Sequence, residues 1–318
     1  MTPITTDSDR QLPNDVRFAF VTGHRRSGTT WVCRMLNSHP EICMRNEGRF
    51  LRDESYSIEH WLDEDRVSRW AQTPVARGGW MLNIEPSELK ILLMRGMMES
   101  VMREAARRAP YTSQSKLKVI GEKTTVYLLT KIELFHALFP DAAGVIHIVR
   151  DGRDAMVSDL FQHFALGTWT MLPDQEHLRR SRRFHLEGQG DEVALFSEPV
   201  LRCLANQWAL SMRGADRAGA LFGDRFIELR YERLLEEPGE IARVFELLGV
   251  CQDNPVVERC IEQNTFEAHS GGRIAGESDP EHHARKGIAG DWRTYFRQED
   301  ERVFAEVVGQ GAAVEGSA

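Results

Sequence analysis

Two arginines, three hydroxyl side chains and a glycine lie within the segment RRSGTTW, residues 25–31. Backbone N–H groups of such a turn, at the start of a helix, can surround a phosphate or sulfate group, and arginine adds positive charge. Gly23 and Gly28 have the spacing of a nucleotide-binding phosphate loop, but Thr29 stands where a nucleoside-triphosphate loop requires lysine. The nearest cation is Arg26, inside the loop. The segment therefore predicts an anion site that differs from that of a kinase or other NTPase.

Two further segments combine basic residues with glycine and complete a pattern: VRDGRDAMVS at 149–158 and ARKGIAGDWRTYF at 284–296. The chain resembles the sulfotransferases that use 3′-phosphoadenosine 5′-phosphosulfate (PAPS). Members of that family carry a loop of the form [KR]SGTT[WL], a strand-end Arg with a Ser eight positions later, and an RKGxxGDW loop. The resemblance implies transfer of a sulfonyl group from PAPS to a hydroxyl or amine.

The resemblance also implies which residues bind the nucleotide. The serine, glycine and threonines of the first loop hold the 5′-phosphate, and Trp31 packs on adenine. Side chains from the two later motifs bind the 3′-phosphate, and the remaining residues flank adenine. The expected nucleotide-binding residues are Arg25, Arg26, Ser27, Gly28, Thr29, Thr30, Trp31, Arg150, Ser158, Tyr231, Thr265, Phe266, Arg285, Lys286 and Gly287.

Two cations are expected to act on the transferred group. Sulfonyl transfer is an in-line displacement, so positioning and electrostatics do most of the work. Arg26 falls where cytosolic members of the family have a catalytic lysine, and carbohydrate and tyrosylprotein sulfotransferases have arginine there. Lys123, in the family-matching segment LKVIGEK, is expected to share the charge of the sulfonyl group with Arg26. No His/Cys cluster suggests a metal, so PAPS is the only expected cofactor.

The general base is expected to be a glutamate. Cytosolic relatives use a histidine in a KxH segment, and that histidine is absent after Lys123. An HPE turn followed by Glu47 and Arg49 resembles the tyrosylprotein enzymes, which implies Glu47 as base and Arg49 as a group that orients the acceptor or the base. Glu122 and His163 are alternatives. Because adjacent strand residues point to opposite faces, Lys123 at the sulfonate leaves Glu122 facing away from it.

The acceptor is not specified by the sequence. Aromatic residues in the helical insertions, among them Phe161 and Trp169, are candidates to line an acceptor cleft, although isolated aromatics more often belong to the core. A glycan, a lipid, a small alcohol or phenol and a peptide tyrosine are all compatible with the motifs. A kinase and a non-catalytic PAPS-binding protein are the alternatives to the transferase.

Alternation of strand and helix patterns predicts the fold that positions these residues. Apolar runs predict strands at 17–21, 117–123, 144–151 and 225–232, and helical periodicity predicts helices at 29–38, 132–140 and 240–250. This order predicts an α/β, P-loop-like three-layer fold with a central parallel sheet and helical insertions over the active site. Residues 16–308 are expected to form one domain between a flexible leader, 1–15, and a flexible tail, 309–318.

Composition and charge limit the partners and the cellular location that the sequence predicts. The 318 residues carry a formal net charge of −8, which argues against nucleic-acid binding. The five cysteines form no CxxC pair, and the polar, acidic N-terminus does not resemble a signal peptide. The sequence thus predicts a cytoplasmic, bacterial enzyme without stable membrane insertion, and leaves its oligomeric state open.

Overall fold

Five parallel strands form one sheet at the centre of the computed structural model, which describes residues 12–48, 50–51, 58–71, 84–109 and 116–313. The strand order is β2-β3-β1-β4-β5. The strands are β1 (Arg17–Gly23), β2 (Ile42–Asn46), β3 (Val119–Lys123), β4 (Gly144–Val149) and β5 (Phe226–Arg230). The four predicted strands are confirmed with ends shifted by up to two residues, and β2 is an additional strand that the sequence analysis missed.

Helices surround the sheet. They are α1 (Thr29–Asn37), α2 (Ile58–Trp61), α3 (Glu64–Ala71), α4 (Pro86–Arg107), α5 (Val126–Thr130), α6 (Ile132–Leu138), α7 (Gly152–Leu166), α8 (Gln175–His185), α9 (Glu198–Phe222), α10 (Tyr231–Glu236), α11 (Ala242–Leu248), α12 (Asn254–Glu262), α13 (Phe266–Ser270) and α14 (Gln298–Ala313). The helices predicted at 29–38 and 132–140 are confirmed. The segment predicted at 240–250 is a short 3₁₀ turn followed by α11, which ends at Gly249 with a left-handed φ of 62°.

Both faces of the sheet are covered, which gives three layers. Along β1, Phe18 and Phe20 belong to one apolar cluster, whereas Ala19 and Val21 belong to a second cluster on the opposite face. Strand β4 is buried along its whole length, which explains its continuous apolar run. The predicted fold class is therefore confirmed.

The described structure extends beyond the expected domain, 16–308, at both ends. Leu12 is 8% exposed and packs in the first apolar cluster. At the other end, α14 continues to Ala313, beyond the expected domain end at 308. Within the residues that the structure describes, no helix has the length and apolar composition of a membrane span.

The carboxyl ends of all five strands lie at one edge of the sheet, because the strands are parallel. The segment 24–28 follows β1, Glu47 follows β2, and Lys123 ends β3. Arg150 follows β4, and Tyr231 follows β5. Residues far apart in the sequence are thereby brought to one place, which is where ligands bind in open parallel sheets.

Candidate active site

A cavity of about 400 Å³ opens at this edge of the sheet. Its wall combines the phosphate-type loop with residues of the two later motifs, 149–158 and 284–296. The residues that line it are Arg25, Arg26, Gly28, Thr29, Thr30, Trp31, Arg34, Glu47, Lys123, Thr125, Arg150, Ser158, Asp159, Gln162, Leu166, Tyr231, Leu235, Thr265, Phe266, His269, His283, Ala284, Arg285, Lys286 and Gly287. Fourteen of the fifteen expected nucleotide-binding residues are in this set, and the remaining one, Ser27, is buried in the loop itself.

The loop after β1 is shaped for an anion by its backbone. Gly28 has a φ of 97°, and a Cβ at this position would lie 2.7 Å from Cδ2 of Tyr231, so the position requires glycine. Helix α1 begins directly after it, at Thr29, and presents its N-terminus to the cavity. The Ser27 hydroxyl is buried and has no hydrogen-bond partner among the described residues, which leaves it available to a ligand in the loop.

Arg25 is anchored below the loop by two side chains. Its Nη2 lies 3.0 Å from Oδ2 of buried Asp159 and donates to Oε1 of Gln207 at 2.8 Å. Arg25 also lines the cavity. The carboxylate of Asp159 offsets part of the positive charge that accumulates in this region.

Arg26 is bound from two sides. Its Nε donates to Oγ of Ser158 at 3.1 Å, and its Nη1 lies 2.9 Å from Nδ1 of His283, whose carbonyl accepts from Nη2. Burial lowers the pKa of Arg26 to about 10, which still leaves it cationic at neutral pH. Burial, with Arg26 and Lys123 nearby, lowers the pKa of His283 to about 4, so this imidazole is neutral and acts as an acceptor.

A second group of cations forms around Arg150 and Arg285. Arg150 donates to the carbonyls of Arg26 and Ile288 at 3.0 and 2.9 Å, and its Nε is buried without a hydrogen-bond partner among the described residues. Arg285 donates a hydrogen bond from Nη2 to Oδ2 of Asp291. Its Nε and Nη1 are buried and have no hydrogen-bond partner among the described residues.

The RKG loop is held in place around this cation group. Lys286 donates from Nζ to Oδ1 of Asp291 at 2.6 Å. The carboxylate of Asp154 fixes the loop by accepting from the backbone N–H groups of Gly290 and Trp292 at 2.6 and 2.9 Å. Asp291 lowers the net charge of the group, and the unpaired nitrogens of Arg150 and Arg285 remain able to donate to a bound anion.

The carboxylate of Glu47 and the ammonium of Lys123 meet at the cavity wall. Nζ of Lys123 lies 2.8 Å from Oε1 of Glu47, and the Glu47 N–H donates to the Lys123 carbonyl at 2.8 Å. Glu47 has a φ of 32°, uncommon for a residue with a side chain, and the adjacent pairing with β3 holds this turn.

Glu122 points away from the cavity. It is 4% exposed, and its Oε1 accepts from the Gly48 N–H at 2.8 Å. Burial and the nearby Glu47 raise its pKa to about 7, in spite of the Gly48 hydrogen bond. Its position matches the expectation that neighbouring strand residues face opposite ways, and Glu122 supports the turn that carries Glu47.

Aromatic rings line the remaining part of the cavity. Trp31 and Tyr231 meet edge to face, with ring centroids 5.8 Å apart, and the indole N–H of Trp31 donates to the Asn264 carbonyl at 2.7 Å. Phe266 is close to Gly287, whose φ is 68° and whose hypothetical Cβ would lie 2.3 Å from the phenyl ring. Thr265 caps α13 by accepting from the Ala268 N–H.

Two residues expected at the acceptor are placed elsewhere. Phe161 is 2% exposed and packs in the third apolar cluster beneath Arg285, whose guanidinium carbon lies 4.9 Å from its ring centroid. Helix α7 turns Ser158 and Gln162 toward the cavity, and Phe161 therefore points into the core. Trp169 packs partly buried against the same cluster. Neither side chain is among the residues that line the cavity.

Two residues expected near the acceptor or the base remain, Arg49 and His163. Arg49 lies outside the described residues. His163 is largely buried, with Nδ1 2.8 Å from the Thr168 hydroxyl, and burial lowers its pKa. It does not line the cavity.

The sequence analysis missed two histidines and an arginine of the cavity wall: His269, His283 and Arg34. Both histidines lie at the ends of the polar, glycine-rich stretch 269–283, which precedes the RKG motif. That position was the sequence signal that could have indicated them. Among the described residues, no group of three or more His, Cys, Asp or Glu side chains is arranged to hold a metal ion.

The chain is similar to known sulfotransferases. A model of the sulfotransferase family matches residues 19–254. The fold resembles mouse sulfotransferase SULT7A1, solved in complex with PAP, at 15% identity over 98% of this chain and 92% of that chain, with a TM-score of 0.50. The sulfotransferase domain of the olefin synthase from Synechococcus PCC 7002 is 18% identical over 94% of this chain and 98% of that domain, with a TM-score of 0.43. No protein of curated function matches the sequence.

Proposed function

Because the chain belongs to the sulfotransferase family, we propose that it transfers a sulfonyl group from PAPS to a hydroxyl or amine of an acceptor and releases adenosine 3′,5′-bisphosphate (PAP). The observation that carries the proposal is the set of buried, unpaired donors around one cavity. Ser27 supplies one in the phosphate-type loop, and Arg150 and Arg285 supply three more near the RKG loop. Buried donors without partners are rare in native proteins, so donors grouped this way indicate an anionic ligand.

PAPS carries a phosphate at its 5′-position and another at its 3′-position, which would account for unpaired donors in the loop and near the RKG motif. The 5′-phosphosulfate would bind in the loop 24–28 and at the N-terminus of α1, where backbone N–H groups and the helix dipole favour an anion. The 3′-phosphate would accept from the free nitrogens of Arg150 and Arg285 and from Ser158. Adenine would then lie among the rings of Trp31 and Phe266. PAP bound to the mouse neighbour is consistent with this choice of nucleotide.

The chemical step is a displacement at sulfur. The acceptor oxygen or nitrogen forms a bond to sulfur while the bond from sulfur to the bridging oxygen of the 5′-phosphate breaks. The electron pair of that bond stays on the phosphate oxygen of PAP, and the acceptor proton passes to the carboxylate of Glu47. Arg26 and Lys123 stabilise the charge on the sulfonyl and leaving oxygens, because both are cations at the cavity wall.

Glu47 and Lys123 form a pair that suits this step. Their 2.8 Å contact places the base beside the cation that would hold a sulfonyl oxygen. An acceptor that donates to Glu47 would therefore lie close to the sulfonyl group that Lys123 would hold. The acceptor itself is a small molecule, glycan, lipid or peptide, and the motifs do not choose among these classes.

The test is a sulfonyl-transfer assay. Purified protein is incubated with PAPS and pooled acceptors of each class, and products are followed by the mass increase of the acceptor and by PAP release. The expected result is acceptor-dependent PAP formation that persists in EDTA. Turnover of ATP with Mg²⁺ but not of PAPS would indicate a kinase, and PAP binding without transfer to any acceptor would indicate a binding protein.

A further inference from the structure

One imidazole lies beside the rings that would hold adenine. His269 is on α13, three and four residues after Phe266 and Thr265, and all three side chains line the cavity. Residues at this spacing share one face of a helix. The imidazole therefore borders the space next to Phe266, and its protonation pattern decides which purine edge it can bind.

Asn264 fixes that pattern through the orientation of its side-chain amide. The amide nitrogen lies 2.7 Å from the Cys260 carbonyl, which can only accept, so the NH₂ group must face it. The same nitrogen donates to Oγ of Ser38 at 2.8 Å. Oγ of Ser38 in turn lies 3.2 Å from the Arg34 carbonyl, to which it donates. Asn264 is 3% exposed, and with its NH₂ group fixed twice, its Oδ1 is the atom left to face His269.

The tautomer of His269 follows from this contact. Oδ1 of Asn264 lies 2.9 Å from Nε2 of His269, and because an amide oxygen only accepts, Nε2 must carry the proton. In the neutral ring Nδ1 is then a bare acceptor. Burial and the nearby Arg34 lower the pKa of His269, which keeps the ring neutral at pH 7. Nδ1 has no hydrogen-bond partner within the described part of the chain.

We propose that His269 determines purine specificity by accepting a hydrogen bond at Nδ1 from the 6-amino group of adenine, with Asn264 as the positioning residue that holds the imidazole in the accepting tautomer. The inference rests on the proposed function, because PAPS supplies the adenine. A purine with a 6-oxo group would place an acceptor opposite a locked acceptor. Such a pair loses a hydrogen bond and leaves two lone pairs facing each other.

The first experiment compares two nucleotides whose purines differ at the 6-position, an amino group against an oxo group, and at N1, which carries a proton in the 6-oxo purine. Titration calorimetry measures the binding of PAP and of inosine 3′,5′-bisphosphate to wild-type protein, to His269→Phe and to the control His136→Phe, whose ring contacts Phe222 away from the cavity. The expected preference of wild type and control for PAP is about 10- to 100-fold. In His269→Phe it should fall to about 3-fold or less, mainly through weaker PAP binding.

The second experiment tests the tautomer lock. Nitrogen NMR of the histidine rings should show Nε2–H for His269, and the Nδ1 resonance should shift on addition of PAP but not of the inosine nucleotide. Asn264→Asp should raise the basicity of the ring and add a proton at Nδ1, so the preference should move toward the inosine nucleotide. Circular dichroism and a melting curve verify that this variant is folded.

The outcomes separate the two proposals. Equal binding of both nucleotides by wild type, or full retention of the preference in His269→Phe, overturns the role of His269 and leaves the proposed function intact. A proton on Nδ1 of His269 in the spectrum of the wild-type protein likewise overturns the role of His269 and leaves the proposed function intact. Failure of wild type to bind PAP at all overturns the proposed function, and the inference with it.

Discussion

At the scale of single residues, Glu47 and Glu122 are two similar carboxylates with different surroundings. Glu47 lines the cavity and contacts Lys123, whereas Glu122 lies on the other side of β3 and accepts from the Gly48 backbone. The turn that follows β2 lies between them. A base needs access to the acceptor, and among these two carboxylates only Glu47 has it.

Replacement of Glu47 by glutamine should therefore slow the chemical step. Glutamine keeps the size and can still accept from Lys123, but it cannot take a proton. We expect Glu47→Gln to reduce kcat by ~100-fold or more with little change in PAP affinity. Steady-state kinetics with PAPS and titration with PAP measure the two effects. Glu122→Gln is the matched control, and equal kinetic losses in both variants would contradict Glu47 as the base.

Glu122 should affect stability instead. Its folded pKa is raised from 4.5 to about 7, chiefly by burial. An acid with a raised folded pKa binds more protons in the native state, so its contribution to stability falls as pH rises from about 4.5 to about 7 and is constant above that. Charged Glu122 then costs on the order of 3 kcal/mol at pH 8.

The neutral isostere removes this dependence. Relative to wild type, Glu122→Gln should gain stability between pH 5 and pH 8, because glutamine carries no charge to bury. The free energy of unfolding in urea, measured for both proteins at the two pH values, gives the difference. The buried histidines titrate in both proteins and cancel in the comparison. A difference that does not change with pH would contradict the buried-carboxyl explanation.

At the scale of elements, the loops after the strands place the site, and each depends on a backbone conformation. Gly28 and Gly287 both have positive φ, and in each case an aromatic side chain occupies the space of a Cβ. In this way the loop 24–28 contacts Tyr231 and the RKG loop contacts Phe266. The two loops proposed to bind the phosphates are thus packed directly against the rings proposed to hold adenine.

Gly287→Ala should disturb this arrangement. The substitution forces an L side chain to a φ of 68° and places Cβ 2.3 Å from Cδ2 of Phe266. Either the loop or the ring must move, and we expect PAP affinity to fall by about 10-fold or more. Gly96→Ala on α4 is the control, since no atom lies within 4 Å of its Cβ. That variant should bind normally and unfold at a slightly higher denaturant concentration. Normal PAP binding by Gly287→Ala would argue against a tight loop.

Strands with a clear apolar run were predictable from the sequence, and β2 was not. β4 and β1 have continuous buried runs, whereas the apolar part of β2, ICMRN, is confined to Ile42, Cys43 and Met44, and the strand ends in Arg and Asn. The direction in which a side chain points, and its contacts with residues far away in the sequence, were also not predictable. The family resemblance predicted Arg150 and Arg285 as anion ligands, and both line the cavity, but whether Phe161 faces cavity or core depends on the rotation of α7. The contact of His283 with Arg26 joins residues 257 positions apart and has no local signature.

At the scale of the whole molecule, the net charge and the site have opposite signs. The protein carries a formal charge of −8, which repels an anion at long range. The cavity nevertheless gathers Arg26, Lys123, Arg150, Arg285 and Lys286. We therefore expect attraction for a nucleotide to be short-range and to depend on donors already held in place by Asp291, Asp154 and Ser158.

Ligand binding should accordingly stabilise the whole fold, and each phosphate should contribute. PAP would satisfy the buried nitrogens of Arg150 and Arg285, and it would join the loops after β1 and β4 to the RKG loop. At 100 times its Kd, PAP adds about 2.7 kcal/mol to stability, enough to raise Tm by several degrees for a chain of this size. Adenosine 5′-monophosphate at the same concentration should give a much smaller shift, because the 3′-phosphate donors stay unpaired. Differential scanning fluorimetry at constant ionic strength measures both, with sodium sulfate as the control for general anion effects. Equal shifts from the two nucleotides would show that the cation group around Arg285 does not bind the 3′-phosphate.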